Sequence, residues 1–328
     1  MTAISYHDTV NDLQGLSFAG RGPFARPEWF ALLENGGARP FVALAREGDK
    51  AVALPLTEGA GGLEPFTNWY AFTWCELSTE GDGHSELLDH LAHDLKNRAS
   101  RIELSKLPDE DGTATRLEGA LRRAGWLVRR EPCDSNHVLP VAGRSYAAYL
   151  AARPGPLRTT LKRKAKKVDV EIITYFEEGA WDSYQAVYAE SWKPEEGDPD
   201  LLRRFAEAEG GAGRLRLGLA RHAGEVVAAQ VWTVEDSSAY IHKLAHLESA
   251  KPLSAGTTLT AALFEHVIDR DRVSLIDFGT GNDPYKRDWM EQVRPRFRLT
   301  CWRRSNPRNW PAIGKAALRT LVSRVRPS

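Results

Sequence analysis

Two stretches of the chain carry one alternating pattern. Residues 41–56 (FVALAREGDKAVALPL) place apolar side chains on either side of Gly48-Asp49, which predicts two strands joined by a tight turn. Residues 216–232 (RLGLARHAGEVVAAQVW) repeat it, with Leu44-Ala45-Arg46 matching Leu219-Ala220-Arg221 and Val52-Ala53 matching Val227-Ala228, at an offset of 175. Apolar residues then fall into helical spacing. Residues 85–98 read as an amphipathic helix followed by a strand at 101–107; residues 257–269 read as a helix followed by a strand at 272–278, at an offset of about 171. Two matches at nearly one offset predict an internal duplication. Chance likeness between hairpins is the competing explanation.

Each half then runs hairpin, further strand, helix, strand. That order predicts an α/β protein with a mixed sheet, its later strands joined by a helical crossover. The first half ends near Pro140, and the Pro- and Gly-containing segment 153–156 follows, so the expected division is 1–142, 143–302 and a tail, 303–328. Residues 157–168 predict a basic helix at the start of the second half, with further helices at 181–193 and 200–209.

Composition agrees with a folded chain, at 42% hydrophobic and 27% charged residues. Cys75, Cys133 and Cys301 lie far apart and form neither a disulfide framework nor a metal cluster, so a reducing cytoplasm and no metal are expected. Residues 1–13 lack the apolar core of a secretory signal. No apolar run reaches the roughly 18–20 residues that span a bilayer, so the protein is expected to be soluble, or peripheral on the inner membrane face.

Charge changes the picture. Net charge is zero, yet no acid follows Glu291 while ten bases do, from Arg294 to Arg326. A second acid-free stretch, 144–168, holds eight Arg or Lys. Both suit phosphates on a cofactor, a membrane or RNA. On a helical wheel Trp310, Ile313, Ala317, Leu318, Leu321 and Val325 share one face, and Lys315, Arg319 and Arg326 lie opposite. Such a segment fits an anionic membrane surface, at about 1 kcal/mol per basic residue near the headgroups. Docking on the protein's own acidic body is the alternative.

The candidate chemistry begins at Ser254-Ala255-Gly256-Thr257-Thr258, which precedes a helix with Leu259, Leu263, Phe264, Val267 and Ile268 on its apolar face. Small residues let a ligand approach the backbone, and free amides at a helix start suit a pyrophosphate. An ordinary N-cap and turn glycine are the plainer reading. The run Tyr240-Ile241-His242-Lys243-Leu244-Ala245, then Ser254 to Leu259, Ile276-Asp277-Phe278-Gly279, and Asp283-Pro284-Tyr285-Lys286-Arg287-Asp288-Trp289 resembles a branch of the GNAT superfamily. That branch holds acetyltransferase-like proteins labelled as cellulose-biosynthesis factors and, more distantly, the Fem peptidyltransferases. Ser191-Trp192-Lys193 resembles it too, and the likeness covers residues 157–302. It is weaker in the first half, at Asn68-Trp69-Tyr70 and Trp74. There Gly81-Asp82-Gly83-His84-Ser85 stands where a phosphate loop would sit, and its acid repels phosphate.

The resemblance implies a tandem GNAT-like fold, an acyl-CoA donor bound at residues 254–258, and an amine acceptor. An alkyl ammonium has a pKa near 10, so at pH 7 about one amine in a thousand is free and its recovery costs about 4 kcal/mol. His242 and Asp277 are candidate bases. His242 is equally placed to be a satisfied core histidine, and Asp277 to hold a loop. Tyr285 is a candidate proton donor to the leaving thiolate, with plain packing as the alternative, and Lys286 a candidate ligand for phosphate or carboxylate. Trp69, Tyr70, Trp74, Trp192 and Lys193 are expected to line the substrate side. Arg158, Lys162, Arg163, Lys164, Lys166 and Lys167 are expected to clamp the acceptor or a coenzyme phosphate. An amphiphilic acceptor, a sphingoid base N-acylated as by bacterial ceramide synthases, is the sharpest expectation. The alternatives are an aminoacyl-tRNA-dependent Fem-type peptidyltransferase and a non-catalytic membrane-surface module. No RNA-binding module with interleaved aromatics is present, so nucleic acid is the second choice.

Overall fold

The computed structural model describes residues 1–315, which form two compact units: Met1–Asp134 together with the chain from Pro295 onward, and Ser135–Arg294. The first unit opens with β1 (Ala3–His7) and α1 (Pro27–Asn35). The expected hairpin follows as β2 (Phe41–Glu47) and β3 (Lys50–Gly59), with Glu47 paired to Lys50 across Gly48-Asp49. Val42, Ala43, Leu44 and Ala45 are all buried, so both faces of β2 are covered. Then come β4 (Gly62–Pro65), the short β5 (Leu77–Ser78) on β3, α2 (His84–Asp94), β6 (Arg101–Leu107), α3 (Thr113–Arg123) and the long β7 (Trp126–Pro140).

In the second unit α4 (Tyr146–Ala151) and the basic α5 (Gly155–Lys164) precede β8 (Asp169–Ile173), α6 (Glu178–Ala189) and α7 (Pro199–Gly211). The second hairpin is β9 (Leu215–His222) and β10 (Glu225–Glu235). Its Ala223-Gly224 loop has positive φ at both residues, the geometry that best follows strand twist. β11 (Ser238–His246), α8 (Ala255–Glu265), β12 (Leu275–Thr280) and α9 (Lys286–Trp289) complete the unit, and β13 (Gln292–Arg303) returns the chain to the first.

The strands of the two units share one plan. In the first, β1-β2-β3-β4 run antiparallel, β4 pairs parallel with β6, and β6 pairs antiparallel with β13. In the second, β8-β9-β10-β11 run antiparallel, β11 pairs parallel with β12, and β12 pairs antiparallel with β7. The expected repeat is therefore present, with one exchange. The last strand of each repeat pairs with a strand of the other, β7 with β12 and β13 with β6, so the units divide within β7 rather than in the loop near 142.

Helix α8 lies against β9 where Gly218 has no side chain: a Cβ there would sit 2.9 Å from Leu259 Cδ1 and Leu263 Cδ1. Leu259, Leu263, Phe264, Val267 and Ile268 are buried, as their spacing predicts. Phe264 stacks between Tyr149 and Trp289, with ring centroids at 5.2 and 5.0 Å. On the other face α6 and α7 contribute Trp181, Tyr184, Leu202 and Phe205 to the core. Among the described residues, no helix is long and apolar enough to cross a membrane. Ala317, Leu318, Arg319, Leu321, Val325 and Arg326 of the expected amphipathic tail lie outside the described residues.

Candidate active site

The parallel strands β11 and β12 pair only from Ser238–Tyr240 to Leu275–Asp277, and beyond these residues they no longer pair with each other. A bulge between Val231 and Trp232 interrupts the β10–β11 ladder opposite His242. Strand alternation would send His242 and Lys243 to opposite faces. The bulge instead leaves both with partners from the α6–α7 side. His242 Nε2 lies 2.7 Å from Thr233 Oγ1 and its ring meets Phe205 edge-on, whereas Lys243 Nζ donates to Glu196 Oε1 at 2.8 Å and lies 5.2 Å from the Tyr188 ring centre.

Past the end of β11 the chain makes a left-handed residue at Ser254 (φ 55°, ψ 38°) and enters α8. Among the described residues nothing accepts from the amides of Ala255, Gly256 and Thr257, the unpaired donors that every helix start presents, while the Thr258 amide bonds Ser254 O. The buried Thr258 hydroxyl likewise has no partner. Ser254 Oγ does not cap the helix and instead receives Lys164 Nζ at 3.1 Å, so the basic α5 delivers an ammonium to the turn. The carbonyl of Gly256 is anchored by Gln230 Nε2 (3.2 Å) and Thr260 Oγ1 (2.9 Å), which fixes the helix start on β10. A Cβ at 256 would lie 3.2 Å from His246 Cδ2, and His246 in turn stacks on Trp192 with centroids 4.2 Å apart.

Trp192 leads to a pocket of about 510 Å³ between α6 and α7, walled by Trp181, Tyr184, Tyr188 and Leu202, with Lys193, Glu195 and Glu196 among its polar lining. Lys193 Nζ lies 5.2 Å from the Trp192 ring centre, so contacts run continuously from pocket to turn. Burial pushes the Lys193 ammonium down from its ordinary range, with Asp283 opposing. Burial also pushes Lys243 down to about 8, opposed by its hydrogen bond and charge attraction to Glu196. Neither Glu196 nor the role of Lys243 was singled out by sequence reasoning. Glu196 sits in a charged loop, KPEEGDPD, that looks like solvated surface.

The other expected residues are placed as follows. Asp277 is buried and accepts from Gly279 N (2.7 Å) and Asn136 Nδ2 (2.9 Å), bonds that shape the left-handed turn at Gly279. Tyr285 packs edge-on against Phe278 at 5.6 Å, and burial followed by Asp283 raises its phenol pKa. Lys286 is buried with Nζ donating to the Thr280 carbonyl, so it braces the 280–286 loop. His137 on β7 faces that loop. Burial, then Lys286 and Arg287, lowers its pKa below that of an ordinary histidine, and its Nε2 has no partner among the described residues. Trp69, Tyr70 and Trp74 belong to the first unit. Trp74 is buried there with its indole N–H on Pro55 O at 3.0 Å, and Trp69 stacks on Tyr70 at 4.3 Å. No group of three or more potential metal ligands occurs among the described residues.

A parallel strand pair thus parts ahead of a helix start with unpaired amides, and residues 149–287 match the family model described as an acetyltransferase (GNAT) domain. This segment is a GNAT domain. Solved structures extend the likeness of fold over most of the chain. FemX aligns at TM-score 0.61 with 11% identity, over 90% of this chain and 96% of that one. L-PGS from Bacillus licheniformis aligns at 0.55 with 13% identity, over 94% and 99%. A tandem GNAT protein from the clavulanic acid biosynthesis pathway aligns at 0.52 with 14% identity, over 93% and 100%. No curated protein matches the chain in sequence. The architecture is thus a mixed α/β, tandem GNAT-like fold, and the match at 149–287 supports a transferase.

Proposed function

We propose that the GNAT domain is an N-acyltransferase that moves an acyl group from a coenzyme A thioester to an amine. The turn at 254–258 carries this reading. Among the described residues three amides and the Thr258 hydroxyl have no acceptor, Lys164 brings a positive charge, and no carboxylate lies among the five residues. A diphosphate satisfies these donors together. Gly256 keeps the cradle open, since a side chain there has to displace His246.

In this reading the α6–α7 pocket takes the acceptor. The amine arrives as an ammonium and gives its proton to the Glu196–Lys243 pair, Glu196 lining the pocket and Lys243 storing the proton behind it. The free amine attacks the thioester carbonyl carbon; the C–N bond forms, the C–S bond breaks, and the sulfur leaves with the excess proton of the nitrogen. A thiol ionises near 8.5, well below the raised phenol of Tyr285, so Tyr285 steadies the leaving sulfur as a hydrogen-bond donor and keeps its own proton.

Gly256→Glu tests the turn. Coenzyme A binding measured by calorimetry is expected to vanish while circular dichroism and thermal unfolding stay native. Unchanged affinity removes the turn from the mechanism.

A second reading, an aminoacyl-tRNA donor, is favoured by Lys162, Arg163, Lys166 and Lys167, all exposed on or just after α5. It requires tRNA binding that weakens with log salt at a slope of about 0.7–0.9 per phosphate contact. A flat salt response rules it out.

A further inference from the structure

We propose that the α6–α7 pocket is built for an acceptor that carries a carboxylate beside its amine: an amino acid with a large apolar side chain, its carboxylate on Lys193. The pocket's assignment to the acceptor rests on the acyltransferase reading above; the carboxylate rests on the pocket itself.

At about 510 Å³ the pocket has the size of a small-molecule site, and its lining is mainly aromatic and aliphatic. One donor in that lining stands out. Lys193 is half-buried and forms no ion pair among the described residues, although its ammonium has lost much of its water. Asp283, the charge that opposes this burial, is itself exposed and lies outside ion-pair distance. Trp181 is fully buried in the wall, and its indole N–H has no acceptor among the described residues. A desolvated cation in an aromatic pocket is costly until an oxygen-bearing anion meets it. The negative groups of the same lining serve the other end of such a ligand. Glu195 is exposed, and Glu196 is held by Lys243, so the amine of an amino acid meets a carboxylate partner while its own carboxylate meets Lys193. Tyr184, Tyr188 and Leu202 then face the side chain. A sphingoid base offers no anion to Lys193.

The test is calorimetry on the full chain with saturating coenzyme A, using L-phenylalanine and 2-phenylethylamine as probes that differ by the carboxylate. L-Phenylalanine is expected to bind at least tenfold more tightly, the usual consequence of a hydrogen bond to a charged group. Lys193→Met, a half-buried site whose loss leaves the core intact, is expected to erase that preference without weakening 2-phenylethylamine. Equal affinities in the wild-type protein, absence of L-phenylalanine binding, or a preference that survives Lys193→Met each overturns the proposal. Thiol release from acetyl-coenzyme A separates it from the reading on which it rests. Release with 2-phenylethylamine or sphinganine but not with L-phenylalanine removes the carboxylate site and keeps the transferase. L-Phenylalanine binding through Lys193 without thiol release from any acceptor does the reverse.

Discussion

Replacing Glu196 by Gln isolates the proton route. Lys243 is 7% exposed and its partner 12%, with 2.8 Å between them, and burial has already brought the lysine down to about 8. A hydrogen bond to a charged group is worth about 1.5–3 kcal/mol. At 1.36 kcal/mol per pH unit, neutralising Glu196 lowers Lys243 by a further 1–2 units, to about 6–7. The acid limb of kcat/KM, followed by thiol release between pH 5.5 and 9.5, is expected to move by that amount, while the acceptor's own titration near pH 10 stays put. Stability follows with a definite sign. The folded protein releases the Lys243 proton near 8 and the unfolded chain near 10.5, so the unfolded state binds more protons between these values and stability rises with pH across that window. Glu196→Gln extends the window downward. Lys243→Met abolishes the limb and lowers kcat/KM by about 10²–10⁴, the usual worth of a positioned base. An acid limb that stays at 8 in Glu196→Gln refutes the assignment.

Two further outcomes test the fold. Gly218→Ala places a methyl 2.9 Å from Leu259 and Leu263 and is expected to destabilise the second unit by about 1–3 kcal/mol in urea unfolding; no loss would mean that α8 does not lie on β9 at that point. A fragment of residues 1–142 lacks β13 and leaves the antiparallel edge of β6 bare. It is expected to aggregate and to be rescued by a peptide spanning β13. A monomeric fragment with a cooperative transition would show that the exchanged strand is dispensable.

Much of this architecture is visible in the pattern of side chains. The hairpins and α8 announce themselves through alternation, turn residues and helical spacing, because each depends on neighbours a few positions away. The strand exchange does not. β7 and β13 read as strands, but local pattern carries no information on which sheet receives them. The turn at 254–258 is legible from its small residues, whereas the arrival of Lys164 depends on how α5 packs. Lys243 lies in a quoted motif, yet period-two reasoning sets it on the face opposite His242; only the bulge at Val231/Trp232 brings it to Glu196. Asp277 and Lys286 stand out in the sequence because they are charged; the bonds of Asp277 to Gly279 N and Asn136 Nδ2, and of Lys286 to the Thr280 carbonyl, depend on tertiary packing that no local pattern announces.

The exchanged final strands also bear on how the chain is made. A ribosome that has released residues 1–134 has produced the strands β1 to β6 but not β13, the antiparallel partner of β6, which emerges only after residue 303. The second unit can close as soon as β12 reaches β7, so the part translated first is the part finished last. Until then the nascent N-terminal sheet carries an open edge that invites pairing with other chains, a period in which chaperone protection matters most.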